Sequence, residues 1–192
     1  ASRYAIIELS MVITYHGAAF CKASQGDTTI ALYPVGKEGD IIFTGKEPFA
    51  ISGAGEYEVR GIVVRGFGSV GSASSINTIY TVVWDDITLC HTGALADATL
   101  SPSVLEDLGD VDVLLIPIGY EGAPTPHELA RLTKHIEAKV TIPLLGNGKN
   151  AEGEYAAFLK ELGSRPTPID RYTFKKRDLE GKNGELVLLT SV

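Results

Sequence analysis

Side chains that hold transition metals or cross-link a chain are scarce: the 192 residues include two cysteines, four histidines, one methionine and one tryptophan. Cys21 and Cys90 stand far apart and neither belongs to a Cys-x-x-Cys pair, which removes zinc-knuckle and thioredoxin-like motifs. Both read as small buried strand residues of a reduced cytosolic protein rather than as halves of a disulfide. Long apolar runs are missing too. The strongest, Val111 to Ile118, is interrupted by Asp112 and Pro117 and falls far short of the roughly 20 residues that span a bilayer. No secretory-signal pattern is visible at the start, so the expected location is the cytoplasm. Basic charge is in deficit, with 17 Lys and Arg against 24 Asp and Glu and a net charge of −7, which disfavours nucleic-acid and anionic-membrane surfaces. The one basic concentration, Arg171 with Lys175, Lys176 and Arg177, has Asp170, Asp178 and Glu180 beside it and reads as a solvated edge.

Several catalytic signatures are also missing. There is no Gly-x-Ser-x-Gly elbow, and Ser101 and Ser103 belong to a helix start rather than to a nucleophile beside a base. Gly66-Phe67-Gly68-Ser69-Val70-Gly71 matches a dinucleotide fingerprint and follows a strand, but another β run comes after it. The helix that would receive a pyrophosphate is lacking, and the segment reads as a flexible glycine-serine loop. Gly146-Asn147-Gly148-Lys149-Asn150 lacks the spacing and hydroxyl of a phosphate loop. The acidic pairs Asp85-Asp86 and Asp110 with Asp112 fall in a turn and around a buried strand.

What is present is a hydrophobic content of 44%, enough for a domain that buries roughly 70% of its unfolded surface. Residues 1–10 read as an N-terminal extension, in which Tyr4 to Leu9 could pair as an edge strand, and 11–192 as one domain. The first half is β-rich, with strands expected over Met11 to Tyr15, Thr28 to Tyr33, Asp40 to Phe43, Tyr57 to Arg65, Asn77 to Trp84 and Ile87 to His91. Trp84-Asp85-Asp86-Ile87 is a hairpin connection, because Asp tolerates the dihedrals of the turn. The second half alternates helices with apolar strands. Ser101-Pro102 opens one helix, Thr125-Pro126-His127-Glu128 opens a second with a capping box, and Tyr155, Phe158, Leu159 and Leu162 mark a third before Gly163. Strands are expected over Val111 to Pro117, Lys139 to Leu144 and Glu185 to Thr190. A β-rich half followed by a β/α half makes the fold class α+β, a four-layer αββα sandwich.

Four stretches resemble the metallo-β-lactamase superfamily, and within it the bacterial Zn-dependent hydrolase and L-ascorbate-6-phosphate lactonase-like group. They are Asp85 to Leu95 with Gly109 to Pro117; Val12-Ile13-Thr14-Tyr15-His16-Gly17 with Thr29 to Pro34; Pro48 to Gly61, including Gly55-Glu56-Tyr57-Glu58-Val59; and Asn77-Thr78-Ile79-Tyr80. The resemblance implies a zinc-dependent hydrolase, but the implied ligands are not there. The His-x-His-x-Asp-His segment is missing, Gly66 to Ser75 holds no histidine, and the carboxylate and final histidine positions are occupied by Ala94 and Leu145. Methyl and isobutyl groups cannot ligate a cation. The expectation is therefore a member without bound metal or other cofactor, kept as a binding, scaffolding or oligomeric protein. Its partner would be a small molecule, a protein or a second copy. The alternatives are a hydrolase of lactones or phosphoesters with a non-standard site, and, more weakly, a nucleic-acid-processing relative. His16, Tyr33, His91 and Asn147 are the residues expected to line the inherited cleft, with no catalytic residue assigned. His127 and His135, eight apart on one helix, cannot share an ion with each other.

Overall fold

The computed structural model describes residues 7–71 and 75–192. Its described strands form two sheets. The first has the order β12-β1-β2-β3-β4-β5, built from β1 (Met11–Tyr15), β2 (Cys21–Gln25), β3 (Thr28–Leu32), β4 (Ile41–Phe43), β5 (Phe49–Ile51) and β12 (Tyr172–Phe174). The second has the order β13-β11-β10-β9-β8-β7-β6, from β6 (Gly55–Val59), β7 (Ile62–Val70), β8 (Ile76–Trp84), β9 (Ile87–His91), β10 (Val113–Ile118), β11 (Val140–Leu145) and β13 (Glu185–Leu186). Its β6 to β9 half is antiparallel, whereas β9, β10, β11 and β13 run parallel, linked through α1 (Pro102–Leu108), α2 (Pro126–Ile136) and α3 (Ala151–Leu162).

Two apolar layers hold this arrangement together. Met11, Ile13, Ile30, Phe43, Val64, Tyr80, Leu115 and Ile142 belong to a core between the sheets. Ile79, Leu114, Ile116, Leu129, Leu132, Phe158 and Leu159 form the other, between the seven-stranded sheet and the three helices. Alternate residues of β8 and β10 therefore go to opposite layers, and β10 is buried at every position. That double cover explains its unbroken apolar sequence. The expected α+β sandwich is observed, with the described α-helices gathered on the outer face of the seven-stranded sheet rather than covering both sheets.

Local chemistry sets several boundaries. Asp85 (φ 46°) and Asp86 (φ 61°) make the two-residue turn between β8 and β9. Thr125 accepts from the Glu128 backbone N–H while the Glu128 carboxylate accepts from the Thr125 N–H, closing the capping box of α2. Asp112, 3% exposed just before β10, accepts from Lys139 Nζ at 2.8 Å, Lys176 Nζ at 2.7 Å and the Thr88 N–H at 2.9 Å. Burial alone would raise its pKa, but the two ammonium groups together with the Thr88 N–H outweigh that and the net shift is downward.

Four local expectations need correction. Tyr57 to Arg65 is two strands, split by a turn at Arg60 (φ 55°) and Gly61 (φ 76°). Gly66 to Val70 is the second half of β7, paired in register with β8, rather than a loop. A Cβ at Gly66 would stand 2.7 Å from the Gly53 carbonyl and 2.9 Å from the Tyr80 ring, so glycine serves close packing there. The expected strand from Glu185 to Thr190 shrinks to β13, with Leu189 bridged singly to Ile169. Strands β2 and β5 were not anticipated; the first packs Cys21 and Ala23 inward with Lys22 and Ser24 outward. The proposed edge strand at Tyr4 to Leu9 begins outside the described residues, and Ile7 to Ser10 are not in a strand.

Candidate functional site

Parallel strands present their carboxyl ends along one edge of the seven-stranded sheet, the usual place for a ligand in an α/β arrangement. That edge carries His91-Thr92-Gly93-Ala94 after β9, Gly119-Tyr120 after β10 and Leu145-Gly146-Asn147 from the end of β11. The other sheet contributes Tyr15 at the end of β1, His16 just after it, and Tyr33 just after β3.

His91 is fully buried and both of its ring nitrogens are committed. Nδ1 accepts from the Gly93 N–H at 3.0 Å, which fixes the tautomer, and the Nε2 hydrogen is donated to the Ala19 carbonyl at 2.8 Å. Burial pulls its pKa down to about 4, opposed in part by the Ala19 carbonyl, so the ring is neutral near pH 7. The Tyr33 ring lies 4.7 Å from it, centroid to centroid, and the Tyr33 hydroxyl donates to the Thr78 carbonyl. His16 belongs to the turn that carries Ala19. Its backbone N–H donates to Phe20 O at 2.8 Å, its ring lies 4.8 Å from the Phe20 ring, and Nε2 is 2.9 Å from Thr14 Oγ1. Burial and the neighbouring Lys22 lower its pKa.

Three of the four residues expected to line the cleft, His16, Tyr33 and His91, thus converge on the turn at residues 16–20. Asn147 does not join them through any hydrogen bond found among the described residues. It is exposed on the loop after β11, beside a shallow depression of about 500 Å³ lined by Leu145 to Gly153.

The edge is closed by contacts that sequence reasoning missed. Asn77, 7% exposed at the start of β8, donates to Thr92 O at 2.8 Å and to Ser69 Oγ at 2.9 Å. Tyr15 donates to the Leu145 carbonyl, Tyr120 to Leu95 O at 2.6 Å, and Tyr80 to Asp40 Oδ2 at 2.7 Å. The only signal of this in sequence was a tyrosine or asparagine in an otherwise apolar strand, which marks a buried polar group in need of a partner without naming it.

Tested as a metal centre, this edge does not fit. Catalytic zinc takes about three protein donors and an open position. Ala94 supplies none, Leu145 offers only a carbonyl that Tyr15 already engages, and His91 has no free nitrogen. Among the described residues no three His, Cys, Asp or Glu side chains are grouped to share an ion. Cys21 and Cys90 are free, fully buried thiols in different core layers. Nor is any described helix long and apolar enough to cross a membrane.

Comparison with known proteins agrees with the fold. A family model described as a β-lactamase superfamily domain matches residues 37–145. A UPF0173 protein of Pyrococcus furiosus is 35% identical over 71 residues, which cover 37% of this chain and 33% of that protein. The chain thus matches about a third of the length of this curated relative. Among solved structures, a Thermotoga maritima protein assigned to the Zn-dependent hydrolases of the metallo-β-lactamase superfamily superposes with a TM-score of 0.76 at 22% identity, over 95% of this chain and 100% of its own. A metallo hydrolase of Ignicoccus hospitalis gives a TM-score of 0.60 at 14% identity, over 86% and 98%. At these identities the structural likeness speaks for the fold alone.

Proposed function

We propose, from the premise that the chain belongs to the metallo-β-lactamase superfamily, that it uses this fold as a metal-free binding or assembly module and not as a hydrolase. The observation that carries the reading is the state of His91: neutral, enclosed, and bonded through both nitrogens to backbone groups of its own chain. A histidine in that position can neither ligate an ion nor accept a proton without first breaking the Gly93 N–H bond to Nδ1, or giving up the Nε2 hydrogen that bonds Ala19. The substitutions at Ala94 and Leu145 remove donors from two neighbouring strand ends, and tyrosine-to-carbonyl bonds tie the ends together instead.

Fold does not fix chemistry, so the hydrolase descriptions of structural relatives stay with those relatives. The deciding measurement is metal content by mass spectrometry after incubation with zinc and manganese and exhaustive desalting, read beside hydrolysis of lactone and phosphoester panels. The expected result is substoichiometric metal and no turnover. About one retained ion per chain, with turnover lost in His91→Ala or His16→Ala, would overturn the reading.

A further inference from the structure

The seven-stranded sheet ends on β6, with no described strand beyond it. Its register shows which backbone groups that edge offers. The turn at Arg60-Gly61 joins Val59 to Ile62, and in a two-residue hairpin of this kind the flanking pair exchanges both of its hydrogen bonds. Alternation makes Tyr57 with Val64 and Gly55 with Gly66 the next bonded pairs. Glu56 opposite Arg65 and Glu58 opposite Val63 are the intervening positions, so the N–H and C=O groups of Glu56 and Glu58 point away from β7, toward the open side.

The charged side chains of β6 itself are both acidic. Glu56 and Glu58 are both exposed, on the same face as Arg65 and Phe67. Glu56 meets Arg65 at 2.9 Å, an exposed pair that is readily exchanged. Glu56 and Arg65, with Gly55, Gly66, Phe67 and Asp107 of α1, line a depression of about 400 Å³. β5, the outer strand of the other sheet, leads into β6 through residues 52–54 and leaves Phe49 48% exposed.

We propose that β6 is a docking edge for an extended segment of another protein in which basic and aliphatic residues alternate. The segment adds as an eighth strand through the outward backbone groups of Glu56 and Glu58. Its Lys or Arg side chains face Glu56, Glu58 and Asp107, and its aliphatic side chains turn to the opposite face of the sheet. A second copy fits badly, because antiparallel pairing of β6 with itself sets glutamate against glutamate, and like charges directly opposite are destabilising. The same glutamates oppose unspecific edge pairing, which leaves a partner of opposite charge as the occupant. The inference deepens the proposed binding role by naming its surface and partner chemistry, and its test does not depend on metal.

The test uses end-blocked fluorescent peptides alternating lysine with valine, and glutamate with valine, titrated onto the full chain at low salt and followed by anisotropy. The basic peptide should bind, and the acidic one should bind at least roughly fivefold more weakly. The double variant Glu56→Lys with Glu58→Lys should reverse that preference without altering the melting temperature by more than a few degrees. Glu58→Pro, which removes an outward N–H, should weaken the basic peptide, and Glu58→Gln should weaken it less. Binding of the basic peptide unchanged in both the double-lysine and proline variants would overturn the proposal. So would concentration-dependent dimerisation that Glu58→Pro abolishes, since the edge would then belong to a second copy. Metal retention with intact peptide preference would refute the metal-free reading and leave this inference standing.

Discussion

At His91, stability and pH are linked in a direction that can be worked out. The folded pKa, about 4, lies below the unfolded value near 6.5, because burial penalises the cation more than the Ala19 carbonyl favours it. Above about pH 6.5 both states carry a neutral ring and the residue contributes no pH dependence. Between about 6.5 and 4 the unfolded chain takes up a proton that the native ring refuses, so stability falls as pH falls, by on the order of 3 kcal/mol for this one group. Urea titrations at half-unit pH steps should show that decline in the wild type and a flatter profile for His91→Gln, which keeps a donor near Ala19. An equally steep decline in the variant would assign it to other groups.

Among the elements, the β10 and β11 termini meet backbone to backbone. A Cβ on Gly146 would lie 2.6 Å from the Ile118 carbonyl and 2.7 Å from the Tyr120 nitrogen, and neither can yield as a side chain would. Gly146→Ala should therefore cost about 2–3 kcal/mol of stability, seen as a lowered denaturation midpoint. An unchanged midpoint would mean that the loops separate freely. Elements whose boundaries depend on adjacent residues were legible in the sequence: the Asp85-Asp86 turn, the Thr125 and Glu128 box, and the limits of β1 and β9. Strand β2 was not, because Cys21-Lys22-Ala23-Ser24-Gln25 has little β propensity of its own and is made a strand by β1 and β3 on either side. The candidate site divides in the same way. His16, Tyr33 and His91 could be placed at strand ends from the pattern. The closing bonds could not, since Tyr15 reaches Leu145 across 130 positions and Tyr33 reaches Thr78 across 45. Such pairings depend on how the sheets stack, which no local window contains.

Taken as a whole, the molecule keeps one thiol in each of its two core layers. Cys21 lies between the sheets and Cys90 beneath the helices; both are fully buried, and burial raises both pKa values, that of Cys90 to about 12. Neither should react with an aromatic disulfide reagent while the chain is native. Mass spectrometry of samples pulse-labelled along a denaturant series should find singly labelled molecules rare, since the layers share β8 and β10 and open together. A substantial singly labelled population at Cys90 would show that the helical layer detaches on its own. Sheet closure also carries a schedule. Strand β1 lies between β2 and β12, with Met11 opposite Phe174, and these partners are roughly 160 residues apart, an interval that a ribosome covers in about 8–30 seconds. Through that interval one flank of β1 is an unfinished edge, so the nascent chain is most exposed to pairing with a neighbouring nascent chain before Tyr172–Phe174 emerges.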